Sequence, residues 1–197
     1  MLVIGLTGKA CAGKDQYAKA FSQYGFEVID VDALGHQALD QSIGQIETSF
    51  GPSVVKEGEI DRSMLGPLVF SDPVKLKKLE AITHPKMVVA CLNRIDEAKS
   101  EGMQAVILNA ALLYRMGLQD RCDSVVFIYA PTWLRFLRAR KRDNLSIKQF
   151  ALRNAAQEDI QPSQKKGVVL RNLFCKALIH RQVATYCATM GLRISST

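Results

Sequence analysis

The sequence predicts an α/β fold, a five-stranded parallel sheet flanked by helices, with a helical segment inserted after the second strand. Three observations carry that expectation. The chain opens on the apolar run "LVIGLTG", which leads into the glycine-rich "GKACAGKD" and then into an amphipathic stretch. Further short apolar runs alternate with helix-like segments, and such alternation is the mark of a parallel sheet covered on both faces. Between the second and third strands lie about 70 residues without a convincing β pattern, too many for a plain connection.

The elements follow in order. "LVIGLTG" reads as a buried strand, and from Lys14 to Tyr24 the residues Tyr17, Ala18, Phe21 and Tyr24 recur at helical spacing. After the break at Gly25, "GFEVID" reads as the second strand. The inserted stretch is helical in its patterning, as in "PVKLKKLEAI". Residues 105–108 ("AVIL"), 124–129 ("SVVFIY") and 167–170 ("GVVL") supply three more strands. The basic stretch "RFLRARKRD" ends one helix, and Ser146 with Gln149 three residues on forms a capping box for the next. Phe174, Ala177, Leu178, Ala184, Cys187 and Met190 outline a closing helix.

Composition bounds the class. A chain of 197 residues with 48% hydrophobic content fills one α/β domain with room for a small insertion. The first strand starts at Leu2 without a basic leader, and no apolar run reaches the roughly 18 residues that span a bilayer. No membrane partner is expected. The five cysteines are odd in number and scattered, without a C-x-x-C pair, which fits reduced thiols and a cytoplasmic location. Lys and Arg number 26 against 19 Asp and Glu, a net charge of +7, which favours anionic partners. Much of the excess sits in Arg135, Arg138, Arg140, Lys141 and Arg142. Nucleic acid is not the expected partner, because that cluster lacks the interleaved aromatics of single-strand platforms.

"GKACAGKD" matches G-x-x-x-x-G-K-[ST] up to its last letter. In such a loop, consecutive backbone N–H groups and a helix N-terminus surround a phosphate. Gly8, Gly13 and Lys14 stand where that geometry needs them, with Lys14 placed to reach the β- and γ-phosphates. Asp15 replaces the hydroxyl residue and has two readings: a carboxylate binding magnesium directly or through water, or a favourable charge in a helix's first turn. "VIDVD" puts Asp30 and Asp32 at the C-terminal end of the second strand, the edge where open α/β sheets bind ligands. A carboxylate there can accept a hydroxyl proton, orient a nucleophile or help hold a metal.

In order and spacing, "GLTGKACAGKD", "GFEVIDVDALGHQAL", "FGPSVVKEGEIDRSML", "VFSDPVKLKKLEAITHP", "ALLYRMG" and "RARKRDNLS" resemble the dephospho-CoA kinases over about three quarters of the chain. The resemblance implies a P-loop kinase fold similar to the nucleoside monophosphate kinases. Residues 1–32 and 103–197 would form the nucleotide-binding core, with a lid at about 134–150, and residues 33–102 the helical domain for the coenzyme substrate. It implies ATP and Mg2+ as cofactors, dephospho-CoA as substrate, and transfer of the γ-phosphate to its 3′-hydroxyl. It sets no oligomeric state. Asp32 then matches the base that takes the hydroxyl proton, and Asp30 a carboxylate organising the metal.

By the same resemblance His36, Arg62 and His84 would contact substrate, and Arg138 and Arg142 would be lid arginines that approach the triphosphate, Arg138 catalytically. Lys9, Ala10, Cys11 and Ala12 complete the nucleotide loop between Gly8 and Gly13. The chain departs from the family pattern at Asp15, Lys9 and Ala12, at Ala111 and Arg115 in place of the proline and glutamate of "PLLFE", and after Gln157. Two other readings stand beside the kinase. One is a loop that binds CoA or nucleotide without turnover; the other is a related small-molecule kinase.

Overall fold

The computed structural model describes residues 1–162, 167–173 and 175–195. Its elements are β1 (Leu2–Thr7), α1 (Lys14–Gln23), β2 (Glu27–Asp30), α2 (Val31–Asp40), α3 (Ile43–Phe50), β3 (Val55–Lys56), β4 (Glu59–Ile60), α4 (Arg62–Phe70) and α5 (Pro73–Ser100). They continue with β5 (Ala105–Asn109), β6 (Ser124–Tyr129), α6 (Thr132–Asp143), α7 (Ile147–Ala155), β7 (Gly167–Arg171) and α8 (Lys176–Thr189). The chain divides into two compact units, Met1–Asp30 with Ile95–Thr197, and Val31–Arg94.

The first unit is built on a parallel sheet of strand order β2-β5-β1-β6-β7. Because β1 lies between β5 and β6, with Leu6 opposite Asn109 on one side and Val126 on the other, its residues are apolar on both faces and buried from Val3 to Thr7. That is why "VIGL" shows no alternation. At the edge, only Leu170 of β7 is buried. The helix α1 packs on α8, β2 and β5 and buries Tyr17, Ala18, Ala20 and Phe21. Edge-on aromatic contacts of Phe21 with Phe26 and Tyr186, at 6.1 and 6.0 Å, lock that face.

The closing helix differs from expectation in its inner face. Ile179, Val183, Tyr186 and Cys187 are buried, whereas Ala177 and Leu178 are exposed and Met190 is only partly covered. Positions 179, 183, 186 and 187 form an i, i+4, i+7, i+8 stripe. The exposed Ala177 and Leu178 lie beside that stripe and widened the apolar pattern beyond the buried face. Phe174, expected in this helix, lies outside the described residues.

The second unit is helical, with a core of Ile46, Val54, Ile60, Leu65 and Val69. It also holds a small antiparallel hairpin, Val55 opposite Ile60 and Lys56 opposite Glu59, which the expectation of an all-helical insertion missed. Two-residue strands are too short to show a period of two. The turn is fixed by Glu57 and Gly58, both at positive φ (55° and 83°), as a two-residue hairpin turn requires. Asp61 caps α4, accepting from the backbone N–H of Ser63 and Met64 at 2.9 and 3.3 Å. Pro85 lies inside the 28-residue helix α5 and does not end it. The carbonyl that loses its amide partner there is that of the exposed Ala81, where water can serve instead.

Candidate active site

The loop from Gly8 to Gly13 joins the buried end of β1 to the start of α1. Two glycines make its path possible. A Cβ on Gly8 would lie 2.6 Å from the Ile128 carbonyl oxygen of the adjoining strand, and one on Gly13 would lie 2.0 Å from the Asn172 amide nitrogen. Gly13, the N-cap of α1, also has φ 92° and supplies no side-chain cap. The helix therefore begins on backbone amides alone, the arrangement that suits an anion.

Lys14 is the first residue of α1, with its side chain 11% exposed. Its ammonium donates to Asn109 Oδ1 at 2.6 Å and lies 3.7 Å from the Asp15 carboxylate. Asn109 ends β5, is buried, and turns its Nδ2 toward Asp15 Oδ1 at 3.5 Å. Across the sheet it is in register with Asp30, the last residue of β2. Parallel strands thus bring Lys14, Asn109, Asp15 and Asp30 to one C-terminal edge. The sequence reading missed Asn109, although a polar residue closing the apolar run "AVIL" was the available signal.

A ring of polar side chains holds the loop from outside. Arg138 on α6 donates to the carbonyls of Cys11 and Ala12 at 3.4 and 3.2 Å, and to the Asn172 and Leu173 carbonyls at 3.3 and 3.2 Å. Asn172 Nδ2 donates to the Ala12 carbonyl at 2.9 Å and to Gln16 Oε1 at 3.2 Å. Arg135, buried on α6, donates to the Ala10 carbonyl and to Asn154 Oδ1 and stacks on Phe150. Burial lowers the pKa of both Arg135 and Arg138. Each remains charged, so α6 sets two cations against the loop. Arg135 and Gln157, whose Oε1 accepts from the Ala10 N–H at 2.8 Å, were not among the residues expected at the site.

Arg142, one turn beyond Arg138, is the more exposed at 58%. It forks onto Asp143 at 2.7 and 2.9 Å and approaches Cys11 Sγ at 3.7 Å. The bond to Asp143 raises the arginine's pKa, and the same bond holds the Asp143 carboxyl below its ordinary value.

Three comparisons bear on this geometry. A family model described as dephospho-CoA kinase matches residues 2–173. The chain belongs to the dephospho-CoA kinase family. A dephospho-CoA kinase from Bacillus licheniformis is 36% identical over 170 residues, 84% of this chain and 85% of that protein. A crystal structure from Thermus thermophilus superposes with a TM-score of 0.80 at 29% identity, covering 96% of this chain and 97% of that one. The dephospho-CoA kinase from Campylobacter jejuni superposes at 0.71 and 26% identity, over 95% of this chain and 96% of that one. Membership extends across the phosphate loop, the helical unit and the basic helix, and the α/β sheet is that of the P-loop kinases.

The remaining residues expected from the family pattern fall on the helical unit. Asp32 lies in the first turn of α2 rather than on β2, so strand alternation does not relate it to Asp30. His36 follows one helical turn later on the same face, exposed like Asp32. Arg62 opens α4, half exposed, with Nη2 3.9 Å from Asp40, a loose ion pair of small energetic weight. His84 is half-buried on α5. Of the departures from the family pattern, Ala111 lends its carbonyl to Thr7 Oγ1 at 3.4 Å. Arg115 forks onto Asp159 at 2.6 and 2.8 Å.

Proposed function

We propose that this chain transfers the γ-phosphate of ATP to the 3′-hydroxyl of dephospho-CoA, giving CoA and ADP. The observation that supports it best is a family match running through residues 2–173 on a chain whose phosphate loop keeps Lys14 oriented by Asn109 at 2.6 Å. Lys14 follows the β- and γ-phosphates and neutralises charge on the group in transfer. Asp32 accepts the 3′-hydroxyl proton; the freed oxygen attacks the γ-phosphorus as the bond to the bridging oxygen breaks, and ADP leaves with that electron pair. Arg138 adds charge behind Cys11 and Ala12, and Arg142 adds it from the exposed end of the lid helix. His36, Arg62 and His84 contact the anionic coenzyme on the helical unit.

Magnesium fits the donor set at the loop. Asp15 offers an exposed carboxylate and Asp30 a second one on the sheet edge. One or two carboxylates with phosphate oxygens and water are the usual shell of this cation. When bound it supplies charge neutralisation across the β- and γ-phosphates. Among the described residues no helix is long and apolar enough to cross a membrane. The scattered free cysteines suit a reducing compartment such as the cytoplasm, the location that goes with this reading.

The test is ADP release by the purified protein with Mg-ATP, with and without dephospho-CoA, and the mass of the product. Release that depends on dephospho-CoA, with CoA formed, is the expected result. Binding of dephospho-CoA without ADP release would replace the kinase by a sensing role, and turnover of another acceptor alone by a related kinase.

A further inference from the structure

The backbone of Ala10, in the first half of the phosphate loop, is held at its N–H by Gln157 of the stretch 154–159 and at its carbonyl by Arg135 of α6. Its N–H donates to Gln157 Oε1 at 2.8 Å. Its carbonyl accepts from Arg135, whose guanidinium also reaches Asn154. Asn154 is fixed within α7, and Gln157 lies past the C-cap Ala156, in a turn closed by backbone bonds from the Gln157 N–H to the Asn154 carbonyl and from the Ile160 N–H to the Gln157 carbonyl, each at 3.2 Å. Arg115 adds a side-chain anchor to that turn. The guanidinium donates through Nε and Nη2 to the two oxygens of Asp159 at 2.6 and 2.8 Å, and through Nη2 to the Ala156 carbonyl at 2.6 Å. One side chain therefore pins the residues on both sides of Gln157. A two-pronged pair of this kind has a defined geometry that an ordinary surface ion pair lacks.

We propose that Arg115 is a positioning residue for the nucleotide: by fixing Ala156 and Asp159 it seats Gln157 on the Ala10 amide and so sets the path of the phosphate loop. The glutamate expected here from the family pattern could not do this. It would repel Asp159 and has no proton to give the Ala156 carbonyl. Arg115 and Asp159 thus work as a matched pair, and they tie the end of α7 to the phosphate loop. The kinetic arm of the proposal rests on the kinase reading above; the structural arm does not.

The experiment follows the Ala10 amide by hydrogen exchange in the nucleotide-free protein and measures KM for ATP and for dephospho-CoA. Arg115→Ala is expected to speed exchange at Ala10 and raise KM for ATP by about five- to tenfold, the loss of roughly one hydrogen bond. KM for dephospho-CoA should stay within about twofold of the parent protein, since an effect through the loop reaches only the nucleotide. Pairing Arg115→Glu with Asp159→Arg should recover most of both effects, and Arg115→Glu alone neither. Gln157→Ala, a change at a partly exposed site that spares the ion pair, should reproduce the rise in KM and add little to Arg115→Ala, because both act through one bond.

Unchanged exchange at Ala10 together with unchanged KM for ATP in Arg115→Ala, or full additivity with Gln157→Ala, overturns the proposal. If Arg115→Ala does not fold, Gln157→Ala decides alone: wild-type exchange and KM in that variant sink the idea. A parent protein that releases no ADP but whose Ala10 exchange follows this pattern removes the kinase reading and keeps Arg115 in its role. Turnover with flat exchange and an unchanged KM for ATP in Arg115→Ala does the reverse.

Discussion

Asp15 and Asp32 carry the sharpest questions at the level of single side chains, because each assigns a carboxylate to a different task. Asp15 is exposed at 76% and lies 3.7 Å from the Lys14 ammonium, at the end of a loop that receives phosphate. In the proposed reading its charge opposes the nucleotide without metal, and its carboxylate is a ligand once metal is bound. Asp15→Ser should therefore tighten ATP binding in the presence of a chelator, by a few-fold to about tenfold for one removed like charge, and change Mg-ATP binding much less. Calorimetric titration with and without chelator reads both, and equal effects in the two conditions would show that the aspartate faces away from the phosphates. For Asp32 the expected loss falls on chemistry. Asp32→Asn should cut kcat by about 10²–10⁴-fold with KM for both substrates nearly unchanged. Near-parental kcat in that variant would move the base assignment elsewhere.

Among the elements, α7 is tied to its surroundings by ionised carboxyls. Its Arg153 meets Asp143 at 3.2 Å, and Arg115 holds the turn that follows it through Asp159. Hydrogen bonds from Arg142 and Arg115 keep the Asp143 and Asp159 carboxyls below their ordinary pKa. A carboxyl with a depressed folded-state pKa stabilises fully above its unfolded value, roughly 3.9, and the contribution is lost as the pH falls through the lower folded value. Hydrogen exchange over residues 147–155 should therefore accelerate on acidification below about pH 4 before exchange in β1 and β5 does; simultaneous loss in helix and sheet would show that these ties carry no local weight. The start of this helix was legible because Ser146 and Gln149 form the capping box their spacing predicts, a local device written within four residues. The phosphate loop was legible for the same reason. The turn after α7 was not: the bonds of Gln157 to Ala10 and of Arg115 to Asp159 span 147 and 44 residues, and no local pattern announces a partner that far away. The hairpin at 55–60 and the inner face of α8 were missed differently, one because its strands are too short to show a period and the other because exposed apolar residues, Ala177 and Leu178, border the buried stripe.

For the molecule as a whole, charge is the property that acts before any contact forms. The chain carries +7, and both proposed substrates are polyanions. Basic residues are gathered on α6, where Arg138, Arg140, Lys141 and Arg142 follow within five positions, with Lys14 at the phosphate loop. Such a field raises the rate of encounter with an anionic ligand, and dissolved ions weaken it once the Debye length, about 8 Å at physiological ionic strength, falls below the approach distance. The Lys14 charge within the site is less affected, since its side chain is 11% exposed and donates to the buried Asn109. Salt should thus separate capture from chemistry. Raising NaCl from about 0.05 to 0.5 M should lower kcat/KM for each substrate by roughly tenfold while kcat changes by less than about twofold. Steady-state kinetics with dephospho-CoA and with ATP varied in turn gives both numbers. A kcat/KM that stays flat would mean that the net charge does not steer the substrates. A kcat that falls in step with it would place the salt-sensitive step after binding, in the arginines of α6 rather than in the field around them.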